Sequence, residues 1–142
     1  MKDCLIIGPA YVFHYNDVYP RLKDKVLKVG IWCIKWQLSK DKPNAAVGNW
    51  FTTIQVNRPE EKKLKLTKTY NENDYQRFDN APDIIESKSK DIPIDYDGLI
   101  AVPITFFKYY DYLLYDILGK RGDLVLNGKQ MFERLIIRRK QL

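Results

Sequence analysis

Cys4-Leu5-Ile6-Ile7, stopped by Gly8-Pro9, is the stretch from which a fold is read outward. A short apolar run with β-branched residues and two chain breakers at its end predicts a buried strand. It has no polar alternation, which predicts that both faces are covered, as in the middle of an α/β sheet. Downstream, Val18, Leu22 and Val26 lie four apart and predict one face of a short helix. Asn16 or Asp17 would cap that helix, with Pro20 in its first turn. Residues 26–34 read as a second strand, and the polar stretch 39–46 as a surface loop.

The segment 49–70 reads as a hairpin. Trp50 to Val56 is aromatic and β-branched, Asn57-Arg58-Pro59-Glu60 is turn chemistry, and Lys63 to Lys68 alternates polar and apolar. That period puts the lysines on one face and Leu64 and Leu66 on the other. Residues 71–97 are polar and irregular, anchored by Ile84, Ile85 and Ile92, and predict a long functional loop. Gly98 to Ile104 predicts a strand closed at Pro103, and Tyr115 to Leu118 another ending at Gly119. Asn127-Gly128, between Leu124–Leu126 and Phe132–Arg138, is a two-residue hairpin signal. The expectation is one α/β domain over 1–142, rich in strands, with 48–97 as a hairpin and long-loop insertion.

At 142 residues and 45% hydrophobic composition the chain is long enough for a core of its own. No run is long enough to cross a membrane and no signal peptide is seen, so a cytoplasmic location is expected. Cys4 and Cys33 form no metal pattern and are expected to be buried free thiols. His14 has no partner at ligand spacing, so no metal residue is assigned. The net charge is +6, and residues 119–142 hold seven basic residues against Asp123 and Glu133. Such an excess suits an acidic partner or, equally, a solvated face.

Several blocks in fixed order carry a resemblance. They are Leu5–Gly30, the segment Gly48–Leu66 (GNWFTTIQVNRPEEKKLKL), Tyr75–Asn80 (YQRFDN), Lys90–Phe106 (KDIPIDYDGLIAVPITF) and Leu126–Lys140 (LNGKQMFERLIIRRK). Together they resemble the C-terminal half of the EcoRI-type adenine-specific DNA methyltransferases. The resemblance implies a Rossmann-like class I methyltransferase sheet and a restriction-modification enzyme using S-adenosylmethionine. Two parts of such an enzyme do the chemistry: a glycine-rich cofactor loop, and an Asn- or Asp-Pro-Pro-aromatic motif that holds the flipped adenine. Neither occurs here. The seven glycines never take the spacing of a cofactor loop, and no two prolines adjoin. Pro9-Ala10-Tyr11 also replaces the Asn-containing turn of the family. No catalytic or cofactor-binding residue is therefore assigned. The expectation is a truncated or split enzyme, inactive alone, contributing duplex DNA binding. It would work beside an N-terminal methyltransferase partner chain, or as a homodimer. The alternatives are a stand-alone DNA-binding module and an interaction protein on an inherited scaffold.

The candidate DNA contacts are Lys63, Lys65, Lys68, Tyr70, Arg77, Arg134 and Arg138. Lysines along a strand either neutralise phosphates or guard an edge against pairing. Tyr70, Tyr75, Arg77 and Phe78 interleave rings and charge, which suits base stacking or, equally, anchoring of a loop. Arg134 and Arg138 are either a phosphate strip or an ordinary charged tail. Asp95 and Asp97 resemble a paired-carboxylate site but are read as a turn leading into the Gly98 strand.

Overall fold

A computed structural model describes residues 3–8, 13, 15–24, 26–30, 34–36, 46–54, 64–111 and 113–141. The chain divides into two compact units, residues 1–62 and 63–142.

In the first unit β4 (Ala46–Thr52) is the strand that the others pair with. β1 (Leu5–Gly8) runs antiparallel to it, with Leu5 opposite Thr52 and Gly8 opposite Asn49. β2 (Lys28–Val29) and β3 (Ile34–Trp36) pair antiparallel with its two ends. Threonine hydroxyls fasten the start of β1: Thr52 Oγ1 donates to Cys4 O at 2.7 Å, and Cys4 N donates to Thr53 Oγ1 at 2.9 Å. α1 (Tyr19–Lys23) buries Leu22 and carries Pro20 in its first turn, as expected. Its cap position is Val18, without a side-chain cap, rather than Asn16 or Asp17. Phe13 and Phe51 meet edge to face at 5.1 Å in a core shared with Leu27 and Val29. Gly30 is required by close approach, since a Cβ there would fall within 1.9 Å of the Trp50 indole.

The predicted burial of the first strand is corrected. Leu5, Ile6 and Ile7 are 60, 40 and 53% exposed. Among the described residues β1 is a terminal strand of its sheet, paired antiparallel with β4 and not a member of a parallel interior.

The second unit is built on a five-stranded mixed sheet in the order β5-β6-β7-β11-β8. β7 (Leu99–Pro103) and β11 (Arg134–Arg139) are neighbours inside it and pair antiparallel. Their runs Ile100-Ala101-Val102 and Leu135-Ile136-Ile137 are wholly buried, because both faces of the sheet are covered. On one face Phe78, Ala81, Ile84, Ala101, Leu124 and Ile136 form a cluster flanked by Leu99, Leu126 and Met131. The alternation of side chains puts Ile85, Ile100, Val102, Leu135 and Ile137 on the other face. There Phe106, from a 3-10 segment at Ile104–Lys108, meets Tyr115 of β8 (Tyr115–Arg121) edge to face at 5.8 Å.

β8 continues past its predicted end at Gly119. Its register against β11 passes from Ile117 to Gly119, so Leu118 is the extra residue of a bulge and stays exposed. The Asn127-Gly128 turn forms as predicted, with φ of 50° and 77°, and joins β9 (Val125–Leu126) to β10 (Lys129–Gln130). Phe132–Arg138 does not supply the returning strand; β10 does, and β11 joins the main sheet instead.

The stretch 71–97 is not a structureless loop. It holds a 3-10 turn at Glu72–Asp74, β5 (Arg77–Phe78) and β6 (Ala81–Glu86). β6 runs parallel to β7, and residues 87–98 make the crossover that a parallel pair needs. Residues 64–70 form no strand, although the exposure of Lys65 and Thr67 alternates with half-buried Leu64 and Leu66. The expected turn at Asn57–Glu60 lies outside the described residues. The whole is strand-rich with little helix, as the sequence predicts.

Candidate nucleic-acid interface

Tyr70, Tyr75, Tyr96 and Arg77 come together in the second unit. Tyr70 stacks on Tyr75 at 5.7 Å and packs against Tyr96 at 4.4 Å. Arg77 Nη2 donates to the Tyr70 hydroxyl at 3.0 Å, and Nη1 donates to Pro82 O at 2.9 Å. Both arms of the guanidinium are therefore engaged inside the unit. Tyr75 is buried, and its hydroxyl donates to Asp91 O at 2.6 Å. Burial pushes that phenol up, against the opposing pull of the Lys68 charge, which keeps it a donor.

The DYDG residues hold this cluster. Asp95 Oδ1 accepts from Tyr70 N at 2.6 Å, and Tyr96 provides the second ring against Tyr70. Gly98 lies under that ring: a Cβ would come within 2.4 Å of the Tyr96 hydroxyl. The turn reading of this segment agrees with the structure, with Asp95 in a turn and strand β7 beginning at Leu99.

Lys68 is exposed and pairs with Asp91 at 2.7 Å. Their hydrogen bond raises the ammonium pKa and holds the carboxyl below the usual carboxylate range. Lys65 is exposed, while Lys63 lies outside the described residues. Across 71–97 eight carboxylates face three cations, so the rings sit in an acidic neighbourhood.

Arg134 is elsewhere. It starts β11 and pairs with Glu86 of β6, Nη2 to Oε1 at 3.1 Å, with Nε 3.2 Å from both carboxylate oxygens. Only 13% of the Arg134 side chain and 18% of the Glu86 side chain are exposed. Burial pushes the Glu86 carboxyl up, and the hydrogen bond and charge of Arg134 oppose it. Arg138 is exposed and lines a shallow polar concavity with Asp97, Asp116, Arg139, Lys140 and Gln141. The candidate residues thus divide into a ring cluster, a half-buried ion pair and a basic end.

Sequence reasoning missed the brace between Asp79-Asn80 and the β9–β10 hairpin. Asp79 accepts from Asn127 N at 3.2 Å and from Gly128 N at 2.7 Å. Asn80 donates to Asp123 O at 2.7 Å and accepts from Val125 N at 3.0 Å. The signal was present: Asp79-Asn80 is turn chemistry between Phe78 and Ala81, both buried. Among the described residues no group of three or more His, Cys, Asp or Glu is placed to hold a metal ion. Cys4 is a half-buried free thiol, whereas Cys33 and His14 lie outside the described residues. No described helix is long and apolar enough to cross a membrane.

Residues 39–139 match the family model described as adenine-specific methyltransferase EcoRI. This chain belongs to that family. Among EcoRI-type relatives, the type II methyltransferase M.EcoRI of Escherichia coli is 37% identical over 100 residues, covering 66% of this chain and 30% of the relative. M.MgeORF184P of Mycoplasma genitalium is 30% identical over 186 aligned positions, covering 99% of this chain and 58% of the relative. M.MpnI of Mycoplasma pneumoniae is 30% identical over 115 positions, covering 66% and 36%. The chain therefore spans between about a third and three fifths of the length of these relatives. No solved structure matches it. The strand-rich mixed sheet suits the C-terminal half of an α/β methyltransferase.

Proposed function

We propose that these residues are the C-terminal, DNA-contacting part of an S-adenosylmethionine-dependent, adenine-specific DNA methyltransferase of the restriction-modification kind. The observation that carries the reading is the family match across 39–139. The residues do not fit a methyl-donor site. Paired prolines and a glycine-rich loop are absent from the sequence, and the described concavity is lined by two carboxylates, three cations and Gln141, with no aromatic wall. The methyl donor and the target adenine are accordingly assigned to a methyltransferase portion that this chain does not span. That portion is either a preceding segment or a separate N-terminal partner chain. The exposed side chains of Leu5, Ile6 and Ile7 on β1 favour such a neighbour, because contiguous apolar surface gains from being covered. A cytoplasmic location fits this role.

Duplex contact is assigned to exposed cations without internal duties. Lys65, Lys129 and Arg138 are exposed, and Lys63 belongs with them by sequence. Lys68, Tyr70, Arg77 and Arg134 act one step back, holding the segments that carry those cations. Phosphate neutralisation makes such binding salt-dependent and largely indifferent to sequence. Four neutralised phosphates correspond to about a 150-fold loss of affinity between about 50 and 200 mM salt. A mobility-shift titration of the chain against a plain duplex of roughly three helical turns checks this. Binding at low salt that fades on that scale is expected, and no shift even at the lowest salt would overturn the reading.

A further inference from the structure

Phe132 is 89% exposed, more than any other large hydrophobic residue among those described. A phenylalanine left in water forgoes the favourable burial that its ring offers. The backbone on either side of it is fixed. Met131 N donates to Leu124 O at 2.8 Å, and Met131 packs against the apolar cluster. Two residues on, Arg134 is tied to Glu86, and Leu135 is fully buried. Met131 is turned inward, and the Phe132 ring beside it stands in solvent. The hairpin before it is braced by Asp79 and Asn80, so the ring stands on a rigid mount.

We propose that Phe132 is a stacking wedge, placing its ring against the bases of bound DNA. The inference rests on the DNA-contacting role proposed above and deepens it. Of the seven cations in residues 119–142, Lys120, Arg121, Arg134 and Lys140 are held in ion pairs, whereas exposed Lys129, three residues before the ring, makes none among the described residues. Lys129 therefore offers a phosphate an unpaired cation close in sequence to the ring. One isolated aromatic is too little for the centre of a protein interface, which gathers several anchors in a desolvated patch. For a nucleobase one ring is enough, because stacking needs only two flat faces and does not depend on sequence.

The test measures affinity of the full chain for the plain duplex as a function of salt, in wild type, Phe132→Ala, Phe132→Leu and Phe132→Trp. Phe132→Ala and Phe132→Leu are expected to bind roughly five- to a hundredfold more weakly. The salt slope is expected to stay unchanged, since no cation is lost, and Phe132→Trp to keep wild-type affinity. Phe132→Leu keeps the apolar bulk, which separates stacking from unfolding or simple greasiness. Wild-type affinity in Phe132→Leu and Phe132→Ala would overturn the wedge and leave the DNA-contacting role standing. A loss of affinity accompanied by a flatter slope would mean that the ring only positions cations, and would also overturn it. Absence of any wild-type binding would overturn both.

Discussion

Arg134→Ala is expected to lower the stability of the second unit by about 3 kcal/mol, the lower end for a broken buried ion pair. The substitution leaves Glu86 at the end of β6 with its desolvation uncompensated. The figure sits at the low end because some surface of both side chains still reaches water. Denaturant unfolding, followed by the midpoint at constant slope, measures it. The loss should depend on pH with a definite sign. Burial already pushes the Glu86 carboxyl up, and Arg134 pulls it down. Without Arg134 the folded-state value rises further, so the folded state holds more protons than the unfolded one between the ordinary and the raised value. Stability therefore falls as pH rises through that window. The deficit of Arg134→Ala should be full near neutrality and shrink on acidification as Glu86 takes up a proton. A deficit that grew on acidification would contradict the burial account of Glu86.

Leu135→Ala is expected to cost about 3 kcal/mol, in the range of leucine truncations that leave a cavity. Leu135 is fully buried near the start of β11, between β7 and β8, where a rigid sheet cannot close the gap. Ile6→Ala on β1 is the control. Its side chain is also aliphatic and in an apolar run, yet it is substantially exposed, so truncation should cost well under 1 kcal/mol. Thermal unfolding of the two variants beside wild type checks the contrast. Equal losses would mean that the edge strand is covered in the isolated chain.

That contrast also shows what sequence can carry. An uninterrupted apolar run does identify a strand, and both Leu5–Ile7 and Leu135–Ile137 lie in one. Whether both faces are covered depends on neighbours that the run does not encode. For β11 those neighbours include Leu124 and Met131, held by a hairpin that Asp79 and Asn80 brace from more than 40 residues away. The Asn127-Gly128 turn was legible because its chemistry is local: two positive φ angles at the residues that best tolerate them. β5 and β6 were hidden because polar residues outnumber the few buried ones around Phe78, Ala81 and Ile84. The nearness of Tyr70, Tyr75 and Arg77 could be read from their spacing. That Asp91, Asp95 and Tyr96 close on the same cluster could not, since that follows from the crossover between β6 and β7. The Arg134–Glu86 pair is legible only once β6, β7 and β11 are known to be successive neighbours.

The division of labour proposed here gives this chain the DNA contacts and leaves the methyl donor to the portion it does not span. Calorimetric titration of S-adenosylmethionine into the isolated chain, in a buffer where the duplex binds, tests that division most directly. The account predicts no saturable heat. A saturable one-to-one isotherm would contradict it, because a methyl-donor site would then reside in these 142 residues.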